Sequence, residues 1–460
     1  MGPTSAETGP PDHEPGLTTD DIDAPATEPI DEPIDETPPA PLLTLRDGLP
    51  EIVDTAGGLA KACDALGAAS GPVAIDAERA SGYRYSARAY LIQLRREGAG
   101  TWLIDPIAFD DLAPVQEALG DTEWILHAAT QDLVCLREIG LQPSALFDTE
   151  LAGRLLGYPR VGLATLVETL LGQRMRKEHS AADWSTRPLP RAWLDYAALD
   201  VEVLLELRAL MVTELAAAGK DEWARQEFEH LLHFVPAVRQ DPWRRTSGVQ
   251  RLRSRRSLAA AKALWEARDE IAARRDVTPG RVIPDAAIIA AATALPTDKT
   301  ALMNTKGFHG RGADRYSRTW VSTLKDVLEM PEEDLPARSP RQDGPPHPRL
   351  WSERDVVADR RFKAARESML TLATDLALPV ENLLTPDYVR RAMWAPPTTR
   401  EPAELADELR EQLLALGARP WQVELVTGAL TGAVLIADIE PDAPSDVDLE
   451  ETGDLDSEPT

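Results

Sequence analysis

The most constraining feature of the sequence is an apolar segment, PVAIDAE at residues 72–78, that ends in two acids. Its apolar and β-branched residues predict a buried strand. Side chains two apart on a strand face the same way, so Asp76 and Glu78 project together. Two buried carboxylates repel each other unless a cation lies between them, and oxygen ligands suit Mg²⁺ or Mn²⁺. Taken alone, so short a motif more often marks an exposed strand end with solvated acids.

Strand and helix patterns alternate through residues 41–235 and predict an α/β domain. Further strands are expected at 89–95, 100–105 and 124–128, with a glycine-containing hairpin between the first two. Helical patterns follow at 131–139, 149–157, 162–172 and 191–218.

The rest of the chain divides into two helical blocks, a linker and two acidic tails. Residues 243–330 and 350–434 predict all-α modules, separated by a Pro-rich, charged linker at 331–349. The tails, 1–40 and 437–460, hold eleven and ten acids and no Lys or Arg, which predicts disorder. Without these acids the formal net charge changes from −28 to −7. The tails fit either a solubility role or a self-inhibitory mimic of nucleic acid.

Charge and cysteine content restrict the class of protein. Residues 243–325 hold seventeen Lys/Arg against seven Asp/Glu, which indicates a polyanionic partner. Two cysteines, Cys63 and Cys135, exclude a disulfide scaffold and favour a reducing cytoplasm. We see no apolar run of 18 residues and therefore expect no membrane span. No long heptad pattern is present, which favours a monomer.

Three more residues extend the acidic motif. Asp132 follows a predicted strand and opens a helix, where the helix dipole alone would favour an acid. Tyr196 and Asp200 are four apart in "WLDYAALDVEVL" and share one helix face. Each residue also fits an ordinary surface position. Together they form a fixed order: D-x-E on a strand, D at a helix start, Y-x-x-x-D within a helix.

That order resembles the tyrosine branch of the DEDD superfamily of 3′–5′ exonucleases. The segments "HAATQDLVCL", "FDTELAGRLLGY" and "GLATLVETLLGQRMRKEHSAADWSTRPLPRAWLDYAALDVEVL" are similar to ribonuclease D in particular. Residues 247–330 resemble the helicase-and-ribonuclease-D C-terminal (HRDC) domain, and 350–434 resemble a second one more loosely. The resemblance implies a ribonuclease H-like domain, a mixed sheet flanked by helices, followed by two all-α modules.

The resemblance also implies a site and an activity. Asp76, Glu78, Asp132 and Asp200 would hold two divalent cations, and Tyr196 would help to position the attacking water. The implied enzyme is a metal-dependent 3′–5′ exoribonuclease that trims RNA 3′ ends, such as transfer RNA precursors, and releases 5′-mononucleotides. Two alternatives stay open: a 3′–5′ DNA exonuclease, and a nucleic-acid-binding adaptor with an inactive nuclease fold.

Candidate nucleic-acid contacts lie outside the acidic motif. The family usually carries an aromatic residue after the motif-one Glu, whereas this chain has Arg79, which can stack on a base or grip a phosphate. Lys177 lies in the loop before the Tyr196 helix and is either a phosphate contact or part of an ordinary polar loop. The helical block adds "WRRTSGVQRLRSRR" and a later basic loop, which also fit solvated surfaces. The candidates there are Arg251, Arg253, Arg255, Arg256, Lys306, Arg311 and Arg315.

Overall fold

The computed structural model describes residues 40–176, 179, 181–339 and 344–438. The predicted acidic tails lie outside these residues, apart from their inner ends. At the C-terminal end the predicted tail begins too early, because Asp438 belongs to the folded protein. Its carboxylate accepts a hydrogen bond from Arg361 at 2.7 Å and also pairs with Arg400.

A six-stranded mixed sheet forms the centre of residues 40–235, here called the sheet domain. Its strands are β1 Ile52–Val53, β2 Val73–Arg79, β3 Ala89–Arg96, β4 Gly100–Ile104, β5 Glu123–Leu126 and β6 Ala145–Asp148. The spatial order is β1-β4-β3-β2-β5-β6. The β2-β3-β4 meander is antiparallel, and β1, β5 and β6 join it by parallel pairing. This is the mixed sheet that the sequence predicted.

The predicted strands are confirmed. Two glycines allow the tight turn of the hairpin between β3 and β4. Gly98 and Gly100 both have positive φ, a conformation that glycine adopts without steric cost. The sequence analysis missed β1 and β6, which are only two and four residues long. Strands this short carry too few alternations to stand out as a pattern.

Helices cover both faces of the sheet. They are α1 Ala56–Ala68, α2 Ala113–Leu119, α3 Leu133–Glu138, α4 Thr149–Leu155, α5 Leu163–Leu166, α6 Arg191–Glu202, α7 Leu204–Ala217 and α8 Asp221–Leu232. A five-residue π-helical stretch, Val167–Leu171, continues α5. The helix expected over 191–218 is two helices, α6 and α7, which meet at Val203 with φ −104° and ψ −11°. The break separates the helix that faces β2–β4 from the one that packs on β2 and β5.

The first helical module has its own hydrophobic core. Its helices are α9 Arg255–Arg275, α10 Pro279–Val282, α11 Asp285–Ala294, α12 Lys299–Met303, α13 Arg311–Arg315 and α14 Ser317–Glu329. The module contacts the sheet domain through the loop that follows β2. The Asp276 carboxylate accepts hydrogen bonds from the backbone N–H of Tyr85 and Ser86, and Tyr85 donates its hydroxyl proton to Asp269 at 2.8 Å.

The second helical module shares one continuous hydrophobic core with the sheet domain. Its helices are α15 Trp351–Arg354, α16 Val356–Asp375, α17 Val380–Leu383, α18 Pro386–Trp394, α19 Pro402–Ala415 and α20 Pro420–Ala437. The Trp223 and Trp421 rings stack with centroids 4.9 Å apart. Glu227 accepts hydrogen bonds from Arg419 Nε at 2.7 Å and from Trp421 Nε1 at 2.9 Å. The two parts are therefore expected to unfold together.

The two helical modules repeat one arrangement that we did not detect as a residue-level repeat. In each, a long helix (α9 or α16) leads through a one-turn helix to a helix of nine or ten residues. In each, a residue with positive φ, Asp276 or Ala377, follows the long helix closely. Helix order and turn positions are kept while side chains differ, which explains why sequence comparison misses the repeat.

The predicted linker at 331–349 is partly folded. Leu335 is buried in the core of the first helical module, and Arg255 and Arg244 donate hydrogen bonds to backbone carbonyls of residues 335–338. Within the described residues the first module thus extends beyond its predicted end at 330.

One helix in the described part of the chain, α20, is long and apolar enough to meet the length and composition test for a membrane span. Its apolar side chains, including Val426, Leu430 and Val434, are buried in the shared core. A buried core helix passes the same test, so the finding is weak evidence for a span.

Candidate active site

β2 carries the D-x-E pair across the middle of the sheet. Asp76 lies opposite Gln93 of β3, and Glu78 lies opposite Leu91. Both acids face α6, which packs across β2, β3 and β4. The register shifts between Glu78 and Arg79, an irregularity of the β-bulge type that turns the next side chain in a new direction. The pair therefore lies in the second half of β2, with both side chains under a helix.

Asp132 is held by the turn that follows β5. Ala128 adopts the left-handed conformation at φ 59°, and residues 129–131 form one turn of 3₁₀-helix before Asp132 begins α3. The Asp148 carboxylate accepts hydrogen bonds from Ala128 N at 3.1 Å and Ala129 N at 2.8 Å. It also caps α4 by accepting from the backbone N–H of residues 150 and 151. One buried acid thus fixes the path of the chain into Asp132.

α6 brings Tyr196 and Asp200 to the same place. A buried ion pair fixes the position of this helix on the sheet, because Arg95 Nη1 of β3 lies 3.1 Å from Glu202 Oε2. Glu202 is 1% exposed and also accepts from the backbone N–H of Arg46. Asp200 precedes Glu202 by two residues, so the ion pair positions the end of the helix that carries it.

These elements gather one cleft of about 260 Å³. Carboxylate oxygens of Asp76, Glu78 and Asp200 all lie within 4.8 Å of one another. Asp132 and Tyr196 line the same cleft. We call Asp76, Glu78, Asp132 and Asp200 the carboxylate cluster. The structure thus brings together all five residues that the sequence singled out for the site.

The acids of the carboxylate cluster repel one another in their ionised form. Burial, and then the charges of the neighbouring carboxylates, raise the pKa of Glu78 to about 10. Burial and the Asp76 charge hold the pKa of Asp132 and of Asp200 well above the usual range. Burial raises the pKa of the Tyr196 hydroxyl, which keeps its proton at neutral pH. Close, half-buried donors that offer only oxygen suit hard divalent cations, so these residues fit such an ion.

Arg79 is the one Lys or Arg among the described residues that line the cleft. Its Nη2 lies 3.6 Å from Asp132 Oδ1, and its side chain is 28% exposed. The guanidinium therefore pairs with a carboxylate that the sequence analysis assigned to metal. At this departure from the family pattern, the sequence predicted only a contact with nucleic acid, on the chemistry of arginine.

The other candidate nucleic-acid contacts fall into two groups. Arg255 and Arg256 direct their guanidinium groups at backbone carbonyls of the first helical module, including Pro336 O and Val327 O. These contacts give both arginines a structural role that the sequence did not predict. Five others are exposed on the module surface: Arg251, Arg253, Lys306, Arg311 and Arg315. Lys177 lies outside the described residues.

Sequence reasoning missed the residues that support the site. Asp148, Glu202 and Gln93 are all buried polar side chains. The signal available for Gln93 was a polar residue within the apolar run "AYLIQL" of β3. A buried polar group needs a partner, and such an interruption therefore marks a specific contact.

Three family models match parts of the chain. A 3′–5′ exonuclease model matches residues 50–216, an HRDC domain model matches 257–324, and a 3′ to 5′ exonuclease C-terminal domain model matches 344–434. The predicted HRDC resemblance of the first helical module is confirmed. The second module matches a model of its own, and its likeness to HRDC stays a prediction.

Similar proteins extend over most of the chain. A ribonuclease D of Granulibacter bethesdensis is 32% identical over 343 residues, covering 71% of this chain and 84% of that protein. A solved structure of a protein from Bifidobacterium adolescentis is 36% identical with a TM-score of 0.78, covering 86% of this chain and 99% of that one. Escherichia coli RNase D, described as an exoribonuclease involved in structured RNA processing, is 25% identical with a TM-score of 0.61, covering 84% and 98%.

Proposed function

Because the chain belongs to the ribonuclease D family and is a 3′–5′ exoribonuclease, we propose that it hydrolyses RNA at the carboxylate cluster. The observation that carries this assignment is the meeting of β2, α3 and α6 at one cleft, with four acids and one tyrosine directed into it. No single element supplies this arrangement. The burial of the cluster also conflicts with the alternative that each acid is a solvated surface residue.

The four carboxylates act as the ligands of two divalent cations, Mg²⁺ or Mn²⁺. Such cations supply positive charge at the scissile phosphate and lower the pKa of water. The cluster's own part is to offer carboxylate oxygens in a fixed, half-buried place before RNA arrives. Burial first, and then mutual repulsion, raises the pKa values of Glu78 and its neighbours, and a bound cation would offset both effects, which supports this role.

Tyr196 is proposed to orient the attacking water. Its hydroxyl interacts with Asp200 one helical turn away and remains protonated at neutral pH. A protonated phenol both donates and accepts a hydrogen bond, so it can hold a water molecule between itself and the phosphate. Attack then releases the terminal residue as a 5′-monophosphate.

The substrate is proposed to be the 3′ end of structured RNA, such as a transfer RNA precursor. Two observations support this choice. The first helical module carries a local excess of positive charge, with exposed Arg251, Arg253 and Lys306 available to phosphates. The E. coli relative is described as acting in structured RNA processing. Arg79 and Lys177 remain proposed contacts near the RNA terminus.

The test is metal-dependent digestion of matched oligonucleotides. RNA labelled at its 5′ end is expected to shorten stepwise from the 3′ end with Mg²⁺ or Mn²⁺, and to stay intact with a chelator. Asp76→Asn is expected to abolish cleavage, whereas Asp64→Asn, an exposed acid of α1, should leave it unchanged. Full cleavage by the Asp76 variant would contradict the site.

The same experiment separates the alternatives. Faster digestion of the matched DNA would make the enzyme a DNA exonuclease. Binding of RNA without any digestion, together with no binding of Mn²⁺ by calorimetry, would make it an adaptor.

A further inference from the structure

Gln93 lies at the centre of β3 and is completely buried. Every residue of this strand is buried, and its neighbours Ile92 and Leu94 belong to the hydrophobic core on the opposite face. A neutral amide at such a position loses its contact with water on folding. It is kept at low cost only where it forms hydrogen bonds.

The strand register places Gln93 beside the carboxylate cluster. In the antiparallel pairs Gln93 lies directly opposite Asp76 on β2 and opposite Leu103 on β4. Directly opposite residues direct their side chains to the same face, with Cβ atoms about 4.5–5.5 Å apart. Asp76, Gln93 and Leu103 therefore form one row beneath α6.

The amide of Gln93 has no partner in the described structure. Neither Nε2 nor Oε1 forms a hydrogen bond there. The next residue on the same face of β3 behaves differently, because Arg95 Nη1 donates to Thr101 Oγ1 at 2.7 Å and pairs with Glu202. Arg95 thus has defined partners for its Nη1 atom away from the cleft, although its Nε has none, whereas both polar atoms of the amide beside Asp76 lack a partner.

We propose that Gln93 is a positioning residue whose amide hydrogen-bonds the Asp76 carboxylate when that carboxylate holds a divalent cation. The inference rests on the proposed function, because it needs Asp76 to be a ligand. An amide N–H₂ group donates two hydrogen bonds, and an ionised carboxylate has acceptor positions to spare beyond those that bind a metal. Such a bond fixes the orientation of the ligand and raises metal affinity.

Replacing Gln93 should change thermal stability and metal affinity in different directions. Gln93→Met keeps the length of the side chain and removes the amide. Removing an unpartnered buried polar group should leave the thermal midpoint unchanged or raise it. Affinity for Mn²⁺, titrated by calorimetry without RNA, should fall about 10-fold or more. The rate of RNA cleavage should fall at limiting Mn²⁺ and recover at high Mn²⁺.

The matched control is Leu103→Met, which places the same side chain in the same row without removing an amide. It should bind Mn²⁺ as the wild type does. Gln93→Leu serves as a second variant with the same expected result. Loss of folding in both Gln93 variants would overturn the proposal, because it would show a structural role.

The proposal and the proposed function fail in distinguishable ways. Wild-type Mn²⁺ affinity in Gln93→Met, with Asp76→Asn inactive, would overturn the positioning role alone. Full cleavage by Asp76→Asn would overturn both.

Discussion

Arg79 Nη2 lies 3.6 Å from Asp132 Oδ1, so the one arginine among the described residues that line the cleft pairs with a proposed metal ligand. A divalent cation that binds Asp132 must compete with this guanidinium. The pairing follows from the register shift after Glu78, which turns Arg79 toward α3. Where the family usually has an aromatic residue, this chain therefore has a guanidinium group that occupies part of the site.

Removal of this competitor should tighten metal binding. Arg79→Gln is expected to raise Mn²⁺ affinity about fivefold, equivalent to about 1 kcal/mol for a partly buried ion pair. Calorimetric titration without RNA measures the change. Arg88→Gln is the control, since Arg88 is an exposed arginine nine positions further on. Unchanged or weaker binding in the Arg79 variant would show that the pair does not compete with metal.

Tyr196 should affect the chemical step more than it affects metal binding. Tyr196→Phe removes only the hydroxyl, so kcat is expected to fall about 10²–10⁴-fold. Mn²⁺ affinity should fall less, by about 10-fold, because the four carboxylates are intact and only the hydroxyl's hydrogen bond to Asp200 is lost. Single-turnover cleavage of RNA gives the rate. Tyr83→Phe is a matched control at the contact with the first helical module, where the Tyr83 ring lies under Arg281. A rate that recovers fully at saturating Mn²⁺ would argue against a role at the attacking water.

Asp148 should support Asp132 through the backbone. Asp148→Asn keeps the shape of the side chain but cannot accept all four backbone hydrogen bonds. The free energy of unfolding is expected to fall by about 1–3 kcal/mol, and Mn²⁺ affinity should fall with it. Urea unfolding and calorimetry measure the two effects. Asp298→Asn, at an exposed cap that accepts from Ala301 N, should change neither.

His127 should make stability depend on acid pH. Burial lowers the pKa of His127 to about 4, and its Nδ1 lies 2.9 Å from Thr149 Oγ1. Between pH 4 and the ordinary histidine value of about 6.5, the unfolded chain binds a proton that the folded chain excludes. The contribution of neutral His127 is therefore complete above about pH 6.5 and is lost as pH falls toward 4.

The test compares urea unfolding from pH 7 to pH 4. His127→Gln should flatten the pH dependence of the unfolding free energy, whereas His309→Gln, at an exposed position, should not. Parallel curves for the His127 variant and the wild type would refute the assignment.

Trp421 should hold the second helical module to the sheet domain. Its ring is 3% exposed and stacks on Trp223. Trp421→Ala is expected to cost about 3–5 kcal/mol in the shared core and to lower its calorimetric transition. A transition of the first helical module should not move, because that module has a separate core. Leu370→Ala, at an exposed leucine of α16, should have little effect. A variant that melts as the wild type does would contradict the shared core.

Local periodicity explains which structural features could be predicted from the sequence. The spacing of Asp76 and Glu78 puts both on one face of a strand, and the spacing of Tyr196 and Asp200 puts both on one helix face. These relations depend on backbone geometry within a few residues and hold wherever the element lies. The mixed sheet, most of the helices and all five site residues were predictable on that basis, together with the family resemblance.

Long-range packing decided the rest. The pairing of Arg79 with Asp132, the use of Arg256 as a link between α9 and the end of α14, and the row that sets Gln93 against Asp76 all join distant residues. A buried charge or amide needs a hydrogen-bond or ion-pair partner. Which group becomes that partner depends on which side chains lie close together once the helices and strands are packed. No pattern along the chain specifies that meeting, and only the tertiary structure identifies it.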